Sequence, residues 1–189
     1  MDLAAAIAGR RSTRAYTTQP VDERLIHHLI HAATLAPSAM NEQPWAFTVV
    51  RDPVVLDALS RDAKAYGLAN LPAAEGGASA AHLRAVLGDP DYQIFYHAPV
   101  LIVISGPAPG AWLTEDCALA AQNLLLSAHA AGLGSCWIGF AQRYLNTPAG
   151  KRHLGLPDAE VCVAPLIVGY AKTAPAPVSR REPPIRWIG

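Results

Sequence analysis

Charged side chains are scarce in this sequence and balanced in sign. They make up 16% of the 189 residues, with 15 basic residues against 15 acidic ones, whereas soluble domains average about 25%. A chain without net charge has no general field that attracts nucleic acid or an anionic membrane, so we expect neither as a partner. Any anion must be bound by a local cluster, and the small charged surface favours burial against a second subunit.

Cysteine is also scarce, and its spacing fits neither a disulfide framework nor a metal site. An odd number without a CxxC pair is typical of reduced thiols in a cytoplasmic protein; the three are Cys117, Cys136 and Cys162. The N-terminus places Asp2 first and the arginines after a very short apolar stretch. That order is wrong for a signal peptide, so we expect a cytoplasmic protein.

No long hydrophobic run is free of polar residues. The most apolar segment, "CALAAQNLLLSAHAAGLG", contains Gln122, Asn123, Ser127 and His129, so a buried helix explains it better than a membrane span. A GxSxG elbow, a P-loop and a nucleophilic Cys–His pair are also missing. The sequence therefore offers no residue as a candidate catalytic nucleophile and no P-loop for a nucleotide phosphate.

A histidine-rich stretch, "HHLIH", places His27 and His31 four residues apart on a predicted helix. The zinc-protease pattern requires glutamate where His28 stands, and no third ligand follows nearby. We therefore expect an exposed helix face and no metal.

The order of the predicted elements gives one domain of mixed α and β structure over residues 1–189. Helices are expected in "DLAAAIAG", ended by Gly9 as a C-cap, and in "PVDERLIHHLIHAATLA", "VVLDALSRDAKAY" and "WLTEDCALAAQNLLLSAHAAG", opened by Thr114. Strands are expected in "WAFTVVRD", "APVLIVISG", "SCWIGF" and "EVCVAPLIVGY". Residues 67–90 have weak periodicity and are interpreted as a mobile, lid-like excursion, and the proline-rich tail as extended.

Positive charge is concentrated in "GRRSTRAY", which follows the first predicted helix. Arginine offers forked donors and serine a short-range hydroxyl, both suited to a phosphate; the residues are Arg10, Arg11, Ser12 and Arg14. Taken alone, a solvated basic turn explains the stretch as well. The tail arginines Arg180 and Arg181 similarly lie either on a floppy arm or on one pinned by an anion.

Two further stretches are dense in polar groups or glycine. "APSAMNEQPW" is a polar loop between two apolar elements, whose hydrogen bonds need partners. In "AGLGSCWIGF", Gly132 and Gly134 are spaced like the first two glycines of a dinucleotide fingerprint, but Trp137 occupies the third position. The stretch also follows a helix, the reverse of the Rossmann order. Glycine here is better suited to let backbone approach a flat ligand.

Five stretches in this order resemble the nitroreductase family of FMN-dependent oxidoreductases: "RRSTRAY", "PVDERLIHHLIHAATLAPSAMNEQPW", "HAPVLIVIS", "DCALAAQNLLLSAHAAGLGSCWIGF" and "VGYAKTAPAPVSRREP". The resemblance implies an α+β fold with a central mixed or antiparallel sheet flanked by helices, in an intertwined homodimer with two interfacial FMN sites. It also implies ping-pong transfer from NADH or NADPH to a nitroaromatic, quinone or similar small-molecule acceptor.

Site residues carried over from the resemblance fall into three groups. The phosphate and ribityl chain would be held by Arg10, Arg11 and Ser12, with Arg180 and Arg181 closing the phosphate site, while Arg14 would lie at the pyrimidine edge. The other subunit would contribute Pro37, Ser38, Ala39 and Asn41. The ring would be lined by Trp137, Ile138 and Gly139, and the Gly139 N–H would bond the central ring nitrogen.

The middle of the chain is shorter than in the longer bacterial nitroreductases. Glu75, Tyr66 and Lys64 do not match the order and spacing of the lid residues in halotyrosine-deiodinating relatives, so no substrate-binding residue is carried over. Two other functions stay open: a flavin-binding or storage protein with little turnover, and other flavin chemistry on this fold, such as dehalogenation or dehydrogenation of a cyclised peptide.

Overall fold

The fold is built on a four-stranded antiparallel sheet. The computed structural model describes residues 1–71, 78–108 and 110–189. The strands are β1 (Ala46–Val50), β2 (Val100–Pro107), β3 (Gly134–Trp137) and β4 (Glu160–Gly169), in the order β1-β2-β4-β3. Every neighbouring pair is antiparallel, with a register shift at Ile104/Ser105 between β2 and β4. The predicted α+β class and all four predicted strands are confirmed.

Helices cover both faces of the sheet. They are α1 (Leu3–Gly9), α2 (Glu23–Thr34), α3 (Pro53–Ala69), α4 (Ala78–Gly88), α5 (Leu113–Ala130), α6 (Gly139–Leu145) and α7 (Pro148–Leu154), with a 3₁₀ turn at Ala39–Asn41. Asp2, Asp22 and Asp52 cap the first three through side-chain bonds to backbone N–H groups. Among the described residues, no helix is both long enough and apolar enough to cross a bilayer.

The central strands are buried on both faces, which explains their unbroken apolar sequences. Alternate residues of β2 point to opposite sides: Ile102 and Ile104 join a core with α2 and α5, whereas Leu101 and Val103 join a second core with α3 and α6. The apolar α5 segment is thus a buried helix, as predicted, although it begins at Leu113, one residue before Thr114.

The structure differs from the sequence prediction at two places, residues 67–90 and Gly9. The end of α3 and all of α4 lie within residues 67–90, whose weak periodicity had predicted no helix but a mobile, lid-like excursion. The mobility of this segment stays a prediction, and residues 72–77 lie outside the described ranges. Gly9 was expected as a C-cap, but it is the last residue of α1, and Arg10 caps the helix in extended conformation. A Cβ on Gly9 would lie 2.7 Å from His129 Nε2, so Gly9 allows α1 to approach α5 closely.

Candidate functional site

The arginine-rich segment after α1 runs in extended conformation beside strand β3. Ser12 forms an isolated parallel bridge with Ser135, and the Thr13 N–H donates to the Ser135 carbonyl at 3.0 Å. Farther along, the buried Tyr16 hydroxyl donates to the Thr13 carbonyl at 2.9 Å. These bonds fix the segment at the sheet edge with Thr13 and Tyr16 inward.

Successive side chains of an extended segment point to opposite sides, so the polar side chains of this segment lie on two faces. Arg10, Ser12 and Arg14 act together on the Cys136 thiol: burial raises its pKa, while Arg14, a Ser12 hydrogen bond and Arg10 oppose that rise. No carboxylate in the described parts of the chain forms an ion pair with Arg10 or Arg14. Two arginines without a carboxylate partner and one serine therefore act on the same thiol, and of the three only Arg14 lines the larger cavity described below.

Arg11 lies on the other face of the segment. Its Nη1 donates to the carbonyls of Ala8 at 2.7 Å and Arg10 at 2.8 Å, and its buried Nε has no hydrogen-bond partner. It lines a second cavity of about 330 Å³ with Thr13 and His129. The structure thus separates Arg11 from the other residues assigned to the phosphate, and its phosphate role stays a prediction.

A larger cavity of about 530 Å³ opens where Arg14, β3 and α6 meet. Trp137, Ile138 and Gly139, predicted to line a flavin ring, all line this cavity. The Ile138 N–H donates to the Pro165 carbonyl at 2.8 Å, so it is not free for a ligand. Gly139 begins α6, where the N–H has no intrahelical acceptor, and a Cβ there would meet nothing within 4 Å. Of the N–H groups of Ile138 and Gly139, only that of Gly139 is therefore available to a ligand.

The opposite wall of the cavity was missed in the sequence. It is aromatic and aliphatic, formed by Tyr66, Asn70, Leu71, Leu83, Leu87, Tyr92, Ile94 and Tyr96. The hydroxyls of Tyr92 and Tyr96 lie 3.0 Å apart, and burial, followed by this hydrogen bond, raises the pKa of Tyr92. The tyrosine-rich stretch "DYQIFYHAP" was the available signal, and it would have placed a flat-ligand wall before β2.

The loop between α2 and β1 is held in a strained conformation away from this cavity. Met40, Asn41 and Gln43 have positive φ angles of 53°, 57° and 50°, which cost free energy in non-glycine residues. The buried Asp116 carboxylate accepts a hydrogen bond from the Ala39 N–H at 2.9 Å, and Ser38 Oγ accepts one from the Gln43 N–H at 2.9 Å. None of the predicted loop residues Pro37, Ser38, Ala39 and Asn41 lines the cavity of Arg14 and Gly139.

The C-terminal tail has no helix or strand and is exposed from Lys172 to the last residue. Arg180 and Arg181 are both exposed, and neither lines a cavity described here with Arg14 or Arg11. Trp187 and Ile188 are 88% and 92% exposed. Apolar side chains this exposed are suited to contact with a second chain.

Two other groups of candidate ligands stay apart. Lys64 donates to the carbonyls of Asp89 and Tyr92 and lines a different cavity from Tyr66, while Glu75 lies outside the described residues. His27, His28 and His31 are exposed, and in the described ranges no three metal-binding side chains cluster.

Comparisons with known proteins identify the family. The sequence model of the nitroreductase family matches residues 7–170. The chain is 32% identical over 187 residues to an NADH dehydrogenase of Thermus thermophilus, covering 90% of this chain and 87% of that protein. A Bacteroides fragilis nitroreductase crystallised with bound FMN superposes over 100% of both chains with a TM-score of 0.86 at 26% identity.

An FMN-bound nitroreductase from Desulfitobacterium hafniense is likewise similar, with a TM-score of 0.78 at 25% identity over 98% of this chain and 97% of that one. The family match spans most of the sequence, and the extended arginine segment, the antiparallel sheet and the cavity beside β3 all lie within it. The chain belongs to the nitroreductase family.

Proposed function

We propose that this protein is an NAD(P)H-dependent FMN oxidoreductase that reduces a nitroaromatic, quinone or similar small acceptor. The observation that carries the proposal is the cavity that Arg14 shares with the available N–H of Gly139, next to Arg10 and Ser12, which act with Arg14 on the Cys136 thiol. The names of the relatives support the same activity, since two hold FMN and one is an NADH dehydrogenase.

The donor set fits FMN. A phosphate carries nearly two negative charges at neutral pH, and charge-assisted bonds from arginine and serine hold such a group well. We assign the phosphate to Arg10 and Ser12, the pyrimidine edge to Arg14, and the central ring edge to the Gly139 N–H. Arg11 is not part of this assignment, because its side chain lines the second cavity and donates to the carbonyls of Ala8 and Arg10.

A homodimer completes the proposed site. The exposed side chains of Leu3, Ile7 and Met40 and the exposed apolar tail indicate surfaces that pack against a second copy. We assign Pro37, Ser38, Ala39 and Asn41 to the flavin bound mainly by the other subunit, and Arg180 and Arg181 to its phosphate. The strained 38–43 loop is held ready for that contact by Asp116.

When bound, FMN accepts two electrons from NADH or NADPH and passes them to the acceptor. For a nitro group, two electrons and two protons give a nitroso group and water; NAD(P)H supplies a hydride and solvent supplies the second proton. The chain's part is to bind and orient: Arg14 places positive charge at the ring edge and Gly139 offers a fixed donor. Because one cavity serves both reactants, we expect ping-pong kinetics.

The purified protein tests this proposal directly. We expect it to be yellow, and titration with NADH or NADPH without oxygen should bleach the visible absorbance of the oxidised cofactor. Oxygen-free addition of an acceptor such as 1,4-benzoquinone should then restore the colour.

Each other function predicts a different outcome. A flavin-binding or storage protein would be yellow but would not bleach with either nucleotide. A dehalogenase-like enzyme would bleach with a strong chemical reductant, and a haloaromatic substrate would then restore the colour and lose its halogen as halide. A colourless protein that takes up no added FMN would contradict all three.

A further inference from the structure

The short helix α6 carries a second positive charge at the cavity, which the proposed flavin site does not use. Arg143 lines the cavity with Phe140, and it forms no ion pair with a carboxylate in the described ranges. It stands four residues after Gly139, so both lie on one face of the helix, about 6 Å apart along its axis.

The charge of the cavity is one-sided. Its described lining contains two arginines, Arg14 and Arg143, and no aspartate or glutamate. Arg14 is assigned to the pyrimidine edge of FMN, where its positive charge would face the electron-rich edge of that ring. Arg143 is assigned to no part of FMN, so its positive charge is available to a second ligand in the same cavity.

The aromatic and aliphatic side chains of the cavity favour a flat ligand. Tyr66, Phe140 and the Tyr92–Tyr96 pair provide aromatic contacts, and Leu83 and Leu87 provide aliphatic ones. Ring faces stack on such walls, and a guanidinium at the rim binds a carboxylate through forked bonds. The combination suits an aromatic ring with an anionic group at the end away from the reacting group.

We infer that the electron acceptor of this enzyme is an aromatic compound bearing a carboxylate, and that Arg143 binds that carboxylate. This inference rests on the proposed oxidoreductase function. The inference concerns the acceptor and not the nicotinamide dinucleotide, which carries its negative charge on phosphates. The dinucleotide is also absent when acceptor binding to the oxidised protein is measured.

The probes are 4-nitrobenzoate and its neutral, nearly isosteric amide, 4-nitrobenzamide. We expect the FMN-loaded wild-type protein to bind 4-nitrobenzoate more tightly in equilibrium dialysis and to reduce it with the higher kcat/KM. Arg143→Gln should lower the ratio of the two kcat/KM values about tenfold, the lower range for a hydrogen bond to a charged group, and Arg143→Lys should lie between. Added salt should reduce the same ratio in the wild type.

Arg152→Gln is the matched control, since Arg152 is an exposed arginine on the neighbouring helix α7 and lines none of the cavities described above. Melting temperature and the visible spectrum check that each variant folds and holds FMN. A wild-type ratio at or below one, or an unchanged ratio in Arg143→Gln, would overturn the inference. So would a loss confined to the rate of bleaching by NADH, which would assign Arg143 to the dinucleotide. A wild-type protein that does not bleach at all would instead contradict the proposed function.

Discussion

At Arg10, Arg11, Ser12 and Arg14, a spacing of two residues decides which side chains act together. In an extended segment, alternate residues share a face, so Arg10, Ser12 and Arg14 act together on the Cys136 thiol while Arg11 bonds to carbonyls on the far side. The proposed FMN site uses the first three residues, whereas the Arg11 side chain makes a structural contact, and single substitutions distinguish the two roles.

Arg10→Ala should weaken FMN binding. Loss of a charge-assisted bond to the phosphate costs about 1.5–3 kcal/mol, so the dissociation constant of FMN should rise by roughly tenfold to a hundredfold. Fluorescence titration of the flavin-free protein measures it. Arg24→Ala, which removes an exposed arginine from α2, should leave the constant unchanged. Equal FMN affinity in Arg10→Ala and wild type would contradict the phosphate assignment.

Cys162 predicts a loss of stability at alkaline pH. Burial, then repulsion by Glu160, raises the pKa of this thiol from 9.0 to about 11. The pKa of the thiol is higher in the folded protein than in the unfolded chain. The contribution of the thiol to the free energy of unfolding is therefore complete below about pH 9. It falls between about pH 9 and pH 11, because the thiol ionises in the unfolded chain but not in the folded protein. The loss should reach about 1 kcal/mol at pH 10.

Urea unfolding of wild type and Cys162→Ala at pH 8 and pH 10 measures this effect. The variant starts less stable because a core side chain is truncated, but its stability should fall less over that interval. The other buried thiols and tyrosines titrate equally in both proteins, so the difference isolates Cys162. Parallel pH profiles would show that the thiol pKa is not raised.

At the scale of elements, segments with a clear apolar pattern could be predicted, whereas helices α4, α6 and α7 could not. Helices α2 and α5 and the buried strands β2 and β4 have patterns of eight residues or more, and the structure confirms them. Helices α6 and α7 have seven residues each and mix polar with apolar positions, unlike the equally short but alanine-rich α1, and α4 lies in a stretch of weak periodicity. Arg143 was missed for that reason, since without α6 nothing placed it one turn beyond Gly139.

The 38–43 loop should depend on Asp116, which lies in the first turn of α5. Asp116→Ala removes the acceptor of the Ala39 N–H, and we expect a loss of about 1.5–3 kcal/mol in the free energy of unfolding. Faster amide hydrogen exchange at Ala39 should accompany it. The matched control is Glu115→Ala in the same helical turn: Glu115 is exposed, so this change should cost only the helix-dipole contribution, about 0.3–1 kcal/mol. Equal effects of both changes would show that Asp116 does not hold the loop.

For the whole molecule, the predicted site residues fall into two groups: those that a single chain brings together and those that would need a second copy. Arg14, Trp137, Ile138 and Gly139 meet in one cavity, because β3 and the extended segment before α2 are bonded to each other. The loop and tail residues do not reach it, and a contact with a second copy is not encoded in the periodicity of one chain. The resemblance supplied those residues, and their assembly stays a prediction.

The dimer is therefore the prediction on which the complete site depends. Sedimentation equilibrium at micromolar concentration should give about twice the chain mass of 20.0 kDa, because separation would return the apolar side chains of the tail and of α1 to water. Trp187→Ser combined with Ile188→Ser should weaken association and FMN retention together, since the same tail is assigned to both. Val54→Ser is the control, as Val54 is an exposed apolar residue on α3, away from the tail. A wild-type monomer that keeps one FMN per chain would show that a single chain completes the site, and the exposed tail would then have no part in it.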